Sequence, residues 1–245
     1  MAVTRQEASA GPLSEALRRH GLLPVPCPVM IEVPPADPGP MSRAATHLDT
    51  FDWVMCASAR AVRALELARS APWPAGVRSA AVGKATARAL KALGATPPPA
   101  VGQEAGADAL WSTLEHLDTW AGHRVLVLTT PGGRTTLVDA LRAAGATVEV
   151  VEAYAMAPRD AADIRDDWAR ARADAVVIAS PRAATTLVAA IGRERVAALR
   201  AVVAIGQTTA RELAALGVAC VVPERTAFDA VAAMLASLQT SEVAP

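Results

Sequence analysis

Short runs of apolar residues alternate along the chain with longer amphipathic stretches. The short runs predict strands: MAVT at the start, then WVMCA (Trp53–Ala57), SAAV (Ser79–Val82), RVLVLT (Arg124–Thr129) and TVEVVEAY (Thr147–Tyr154), followed by AVVIA (Ala175–Ala179), AVVAI (Ala201–Ile205) and ACVVP (Ala219–Pro223). The amphipathic stretches predict helices over Leu13–His20, Ala61–Arg69, Thr86–Leu93, Ala107–Leu117, Thr135–Ala144, Ala183–Ile191, Thr209–Leu216 and Ala227–Leu238. Gly21, Gly94, Gly145 and Gly217 stand where a left-handed residue closes a helix. Strands that are apolar throughout, each followed by a helix, predict an α/β fold: a parallel, doubly wound, flavodoxin-like sheet covered on both faces.

The pattern repeats itself. AVGKATARALKALGA (Ala81–Ala95) returns as AIGQTTARELAALGV (Ala204–Val218), with nine of fifteen positions identical and an offset of 204 − 81 = 123. DWVMCASARAVRALELA from Asp52 returns as DAVVIASPRAATTLVAA from Asp174, offset by 122, with Ser58 over Ser180 and Arg60 over Arg182. Tandem arrays have periods of about 20–50 residues, so this offset indicates two duplicated domains. The opening unit, ending LRRHGLLPVPCP, resembles LVDALRAAGATVEVVE near residue 145 rather than anything beside it, so the module is circularly arranged. The expected domains are 1–26 plus 160–245, and 37–150, joined by a two-stranded linker of 27–36 and 151–159 with a cleft between the lobes. Prolines flank both crossing segments, which favours extended chain over helix.

Composition narrows the chemistry. Aromatic residues supply 3% of the 245, so the core must rest on Val, Leu, Ile and Ala. Formal net charge is zero, which gives no field toward nucleic acid or an anionic membrane. Cys27, Cys56 and Cys220 are odd in number and sit in apolar surroundings, as small hydrophobes of a reducing compartment do. With no ligand-spaced His and Cys cluster, no metal is expected. MAVTRQEAS lacks the pattern of a signal peptide, and no apolar stretch reaches the length of a membrane span, so a cytoplasmic location is expected. TTPGGRTT superficially resembles a phosphate loop but lacks GxxxxGK[ST] and GxGxxG, and no GxSxG supports a Ser–His–Asp hydrolase.

In order, VTR, DWVMCAS, AVGKATARALKALG, PGGRTTLVDALRAAGATVEVVEAY, DAVVIASP and AIGQTTARELAALG resemble the uroporphyrinogen-III synthase family over nearly the whole length. The loop TRQEASAGP lacks the proline the family commonly has after the arginine, and TTPGGR replaces a more usual charged segment. The resemblance implies a cofactor-free cyclase of tetrapyrrole biosynthesis acting on hydroxymethylbilane, a flexible linear tetrapyrrole bearing many carboxylates. Water is lost, and the ring closes with the terminal pyrrole inverted through a spiro intermediate. The alternative is a non-catalytic two-lobed binding or regulatory protein for an anionic small molecule. A monomer is the default, and contact with the upstream deaminase is left open.

A neutral protein needs concentrated local donors for such a substrate. The turns SARA, GKAT, SPRA and GQTT each lead from a strand into a helix, whose free N–H groups and partial positive charge favour carboxylates. Ser58, Thr86, Ser180, Gly206 and Thr208 are the candidate turn residues, with the Ser and Thr also readable as helix caps. Arg60, Lys84 and Arg182 place cations where they oppose the helix dipole, which an adjacent anion explains, although arginine is scattered widely over this chain. Arg5 and Arg134 follow strands at equivalent positions. Tyr154, the single tyrosine, matches the family's tyrosine on the return segment and is the candidate proton donor; packing between domains is its bland alternative.

Overall fold

The computed structural model describes residues 1–7, 11–96, 100–101, 107–133, 135–225 and 227–240. The chain divides into two units, residues 1–32 with 157–245 and residues 33–156. Both divisions fall inside the segments 27–36 and 151–159 that the prolines mark as extended.

In the first unit, β1 (Ala2–Val3), α1 (Pro12–Arg19), β2 (Val25–Pro26) and β3 (Met30–Val33) precede the excursion into the other unit. The chain returns through β9 (Ala155–Pro158) to α7 (Ala161–Ala171), β10 (Ala175–Ile178), α8 (Pro181–Ile191), α9 (Arg193–Ala197), β11 (Ala201–Ala204), α10 (Gln207–Ala215) and α11 (Phe228–Thr240). The sheet runs β11-β10-β1-β2, all parallel. The expected strand Ala219–Pro223 is reduced to a single bridge, Val203 to Val221, beside β11. Strand residues alternate between faces. Val3, Val177 and Val203 pack with Leu13, Leu17 and Leu235 of α1 and α11, while Val176 and Val202 alternate with them and are also buried.

The second unit contains α2 (Gly39–Thr46), β4 (Trp53–Cys56), α3 (Ala59–Ala68), β5 (Arg78–Ala81), α4 (Lys84–Ala92), β6 (Ala100–Val101), α5 (Ala107–Leu114), β7 (Arg124–Thr129), α6 (Thr136–Ala143) and β8 (Thr147–Glu152). Its parallel sheet is ordered β6-β5-β4-β7-β8. Val54 and Cys56 point into a core with Leu65 and Leu90, and Trp53 and Met55 into one with Leu110 and Leu141. Both faces are apolar, which is why these strands read as continuous hydrophobic runs.

In chain order the second sheet reads 3-2-1-4-5, but started from β7 it reads 2-1-3-4-5. The first unit gives 2-1-3-4-5 directly when Val221 is counted as its last strand. In strand order the two units are therefore one module cut at two places in its connectivity. Matched details follow: Arg78 N–H donates to Asp52 O and Arg200 N–H to Asp174 O, both at 2.9 Å. The chain crosses between units in β3 and β9, which pair as a two-stranded sheet. No helix among the described residues is long and apolar enough to cross a membrane.

Candidate functional site

In doubly wound sheets, ligands gather outside the carboxyl ends of the strands where the connections diverge. That point lies between β1 and β10 in one unit and between β7 and β4 in the other. The turns that leave these strands contain most of the residues singled out from the sequence.

Ser58 and Ser180 are geometric twins. Each is extended (φ −157° with ψ 159° and 158°), and each hydroxyl oxygen accepts from the backbone N–H three residues on, Ala61 and Ala183, at 3.2 Å. The other pair of turns corrects an expectation. Gly83 and Gly206, not Thr86 and Thr208, are the N-caps of α4 and α10, and neither offers a side-chain cap. The helices begin before their apolar periodicity does. Thr86 is 5% exposed and faces its unit's interior, so its hydroxyl is turned away from the open end of the turn. Thr208 is exposed, and the true partner of Thr86 is the buried Thr209. The 123-residue offset already aligns Thr209 with Thr86.

Gly83 is extended, a conformation any residue adopts, and a Cβ there would meet nothing within 4 Å. Neither backbone nor neighbours in the protein demand glycine, and the space beside the first N–H groups of α4 is open. Gly133 is different. A Cβ there would run into Thr129 Oγ1 and lie 3.1 Å from the Thr130 carbonyl, so this tight turn excludes side chains. Arg134, next to it, lies outside the described residues.

The first turns of α2, α3, α4, α8 and α10 contain no acidic residue, whereas those of α1, α6, α7, α9 and α11 each contain one. In α3, α4 and α8 a cation stands there instead: half-buried Arg60 and the exposed Lys84 and Arg182. Arg60 Nη1 donates to Met156 Sδ at 3.4 Å. Arg5 lines a cavity of about 250 Å³ with Ala179, Ile205, Ala227 and Phe228, its guanidinium 5.4 Å from the Phe228 ring centre. Glu7 lies beside Arg5, with Oε2 3.8 Å from its Nε, and accepts from Ser14 N–H at 2.7 Å to tie down the start of α1. The equivalent cavity of the second unit, lined by Ala57, Val82, Leu110, Thr129 and Leu137, is about 40 Å³.

Tyr154 lies between β8 and β9 and is 9% exposed, its ring packed in the core with Val54, Leu126 and Leu128. Its hydroxyl is 3.1 Å from Ser58 Oγ, within hydrogen-bond distance. The expected strand Thr147–Tyr154 breaks at this point, which turns the phenol toward the α3 terminus.

At the amino ends of β4 and β5, burial works against ionisation of Asp118, but the Trp53 indole N–H at 3.0 Å, Thr119 N–H at 2.8 Å, Arg78 and His123 outweigh it and lower its pKa. On α7, hydrogen bonds from Arg159 and Arg170 lower that of Asp167. Burial pushes the Cys56 thiol up to about 12, which makes it a packing group and not a nucleophile. No cluster of three or more His, Cys, Asp or Glu suited to a metal occurs among the described residues.

The family model for uroporphyrinogen-III synthase HemD matches residues 11–233. The chain belongs to the uroporphyrinogen-III synthase family. A Synechococcus elongatus protein named uroporphyrinogen-III synthase is 31% identical over 163 residues, covering 62% of this chain and 58% of that protein. The match thus spans little more than half of that relative. Two solved structures share the fold. A mutant uroporphyrinogen III synthase from the extremely thermophilic bacterium Thermus thermophilus has a TM-score of 0.55 at 22% identity, covering 98% of each chain. A uroporphyrinogen-III synthetase from Helicobacter pylori has a TM-score of 0.61 at 14% identity, covering 97% of this chain and 98% of that one.

Proposed function

We propose that this chain is a uroporphyrinogen-III synthase that cyclises hydroxymethylbilane without a cofactor. Family membership supports the reaction class. The observation that carries the substrate is the set of acid-free helix N-termini at the carboxyl ends of both sheets, three of them bearing a cation. Such termini suit a molecule rich in carboxylates, and they explain how a chain of zero net charge holds one. Ser58, Ser180, Gly206, Lys84, Arg60, Arg182 and Arg5 are the residues we assign to that task. We further propose that it works as a monomer in the cytoplasm, with at most a transient contact with the upstream deaminase.

The C–O bond of the terminal hydroxymethyl group breaks as its oxygen takes a proton and leaves as water. The pyrrole N–H proton given up in forming the azafulvene balances the one that departs. The substituted carbon of the far pyrrole then attacks, giving a spiro centre that fragments and recloses with that ring inverted. Uncatalysed closure omits the inversion, so the protein's main contribution is to hold one folded conformer. Tyr154 is the proposed donor to the leaving oxygen, an effect worth roughly 10²–10⁴-fold for a well-placed acid.

The test is to generate hydroxymethylbilane with the deaminase, add this chain, oxidise, and separate the two uroporphyrin isomers. Predominantly type III product is expected. Type I at the level found without the protein would overturn the proposal.

A further inference from the structure

The duplication supplies an internal control for Tyr154. After β8, Ala153 N–H donates to Thr129 O at 2.8 Å; after β2, Val29 N–H donates to Thr4 O at 3.1 Å. The next residue is Tyr154 in one unit and Met30 in the other, 9% and 6% exposed. Met30 Sδ accepts from Thr186 Oγ1 at 3.4 Å, whereas Tyr154 meets the serine that caps α3. Ser58 and Ser180 therefore cap their helices identically, and Ser58 alone has a phenol beside it.

A serine hydroxyl has one proton and two acceptor sites. One site on Ser58 is taken by Ala61 N–H. Among the described residues the one side-chain or carbonyl oxygen within reach of its proton is Tyr154 Oη. The positive end of α3 draws the serine oxygen toward the helix and turns its proton outward. The phenol then accepts from Ser58 and keeps its own proton. In the reverse arrangement Tyr154 would spend that proton on Ser58 and have nothing to give a substrate.

We infer that Ser58 is a positioning residue for Tyr154: held by the α3 terminus, its hydroxyl donates to the phenol oxygen and leaves the phenol proton for the departing hydroxyl of the substrate. The inference rests on the synthase reading above and deepens it. No atom or electron is exchanged at Ser58. The series Ala61 N–H to Ser58 Oγ–H to Tyr154 Oη–H orients a donor and polarises it.

Two measurements test it. The tyrosine Raman doublet changes the relative intensity of its components when a phenol shifts between accepting and donating, and with one tyrosine in the chain the signal has a single source. The doublet should report an accepting phenol, change in Ser58→Ala and Ser58→Gly, and stay unaltered in Ser180→Ala. The second measurement is kinetic, following type III product from hydroxymethylbilane. Ser58→Gly keeps most of the capping stability, since glycine is itself a good N-cap, yet its kcat should fall about tenfold, as one orienting hydrogen bond would predict. Ser58→Ala should lose the same kcat and also about 2–4 °C in Tm, as should Ser180→Ala in Tm. Ser58→Thr restores the hydroxyl and should recover kcat. Ser58→Gly combined with Tyr154→Phe should be no slower than Tyr154→Phe.

Multiplicative losses in that pair, an undiminished kcat in Ser58→Gly, or a doublet insensitive to Ser58 would overturn the inference. If the unaltered chain makes no type III product, the synthase reading and the catalytic half of the inference both fail. The Raman comparison still decides the hydrogen bond.

Discussion

The two units share strand order, cap geometry and the placement of Gly83 and Gly206, yet they differ in what surrounds that frame. The first has a cavity of about 250 Å³ under Arg5 and Phe228, with a methionine after β2. In the second the cavity at the equivalent place is about 40 Å³, with a tyrosine after β8. What the duplication retained is backbone: strand ends, extended caps and N–H groups aimed past the sheet. The side chains that would distinguish holding a substrate from acting on it diverged. The Arg5-lined cavity thus belongs to the first unit, and the phenol to the second.

The sharpest way to break the symmetry is to place an anion at the glycine caps. Aspartate is a better N-cap than glycine by a few tenths of a kcal/mol, so Gly83→Asp should leave Tm unchanged or slightly raised. The same carboxylate would occupy the place proposed for a substrate carboxylate. KM for hydroxymethylbilane should then rise about tenfold or more, the scale of a like-charge contact near a protein surface. Gly206→Asp should act in the same direction but less, because Gln207 stands where α4 has Lys84. Calorimetry with steady-state kinetics measures both. An unchanged KM in both variants would show that these termini do not face substrate.

A second difference lies at the amino ends of the strands and concerns stability. In the second unit Trp53, Arg78 and His123 converge on Asp118, and the Arg78 guanidinium lies 4.6 Å from the Trp53 ring centre. The matching place in the first unit has an Arg200–Asp174 pair at 3.3 Å, with Asp174 well exposed. Asp118→Asn should cost about 1–3 kcal/mol, the range for removing charged hydrogen-bond partners, with a Tm drop of several degrees. Because the folded state depresses the Asp118 pKa, its contribution is present above the ordinary aspartate range near 3.9 and disappears as pH falls through the folded value. The variant should lose least at the acid end, so the two unfolding curves should converge below about pH 4. Parallel curves would contradict this.

The sequence reveals the frame better than its margins. β4, β7, β10 and β11 are apolar on both faces, so composition alone marks them, and the repeat offset discloses the permuted connectivity. The two-residue strands β2 and β6 lie at sheet edges, where a proline such as Pro26 is tolerated and little periodicity accumulates. Helix α7 buries Ile164 alone among its fully described core positions, too thin an apolar stripe to stand out, although Asp160 caps it from Ala162 N–H at 2.7 Å. Helices α2 and α9 are short, and Gly39–Pro40 and Gly192 discourage a helical reading of their starts. At the candidate site, Ser58 and Ser180 could be placed from the repeat. The contact between Ser58 and Tyr154 spans 96 residues and follows from the break between β8 and β9, which no local pattern announces.

The smallest expected effect concerns the cations. Arg182 is exposed at the second position of α8, where the helix dipole disfavours it by about 0.3–1 kcal/mol. Arg182→Gln removes that conflict and should raise stability by a few tenths of a kcal/mol, visible as a Tm gain near one degree. If the arginine is there for a carboxylate, KM should rise about two- to fivefold, since an exposed ion pair contributes about 0.2–1 kcal/mol. Higher salt should shrink that gap, because screening weakens the arginine's contribution before it touches the fold. Arg60, half-buried and donating to Met156, has less freedom to follow a ligand, and Arg60→Gln should lose Tm rather than gain it. Opposite signs of the Tm change at two aligned arginines would show that one module uses the same residue to serve a ligand in the first unit and its own return strand in the second.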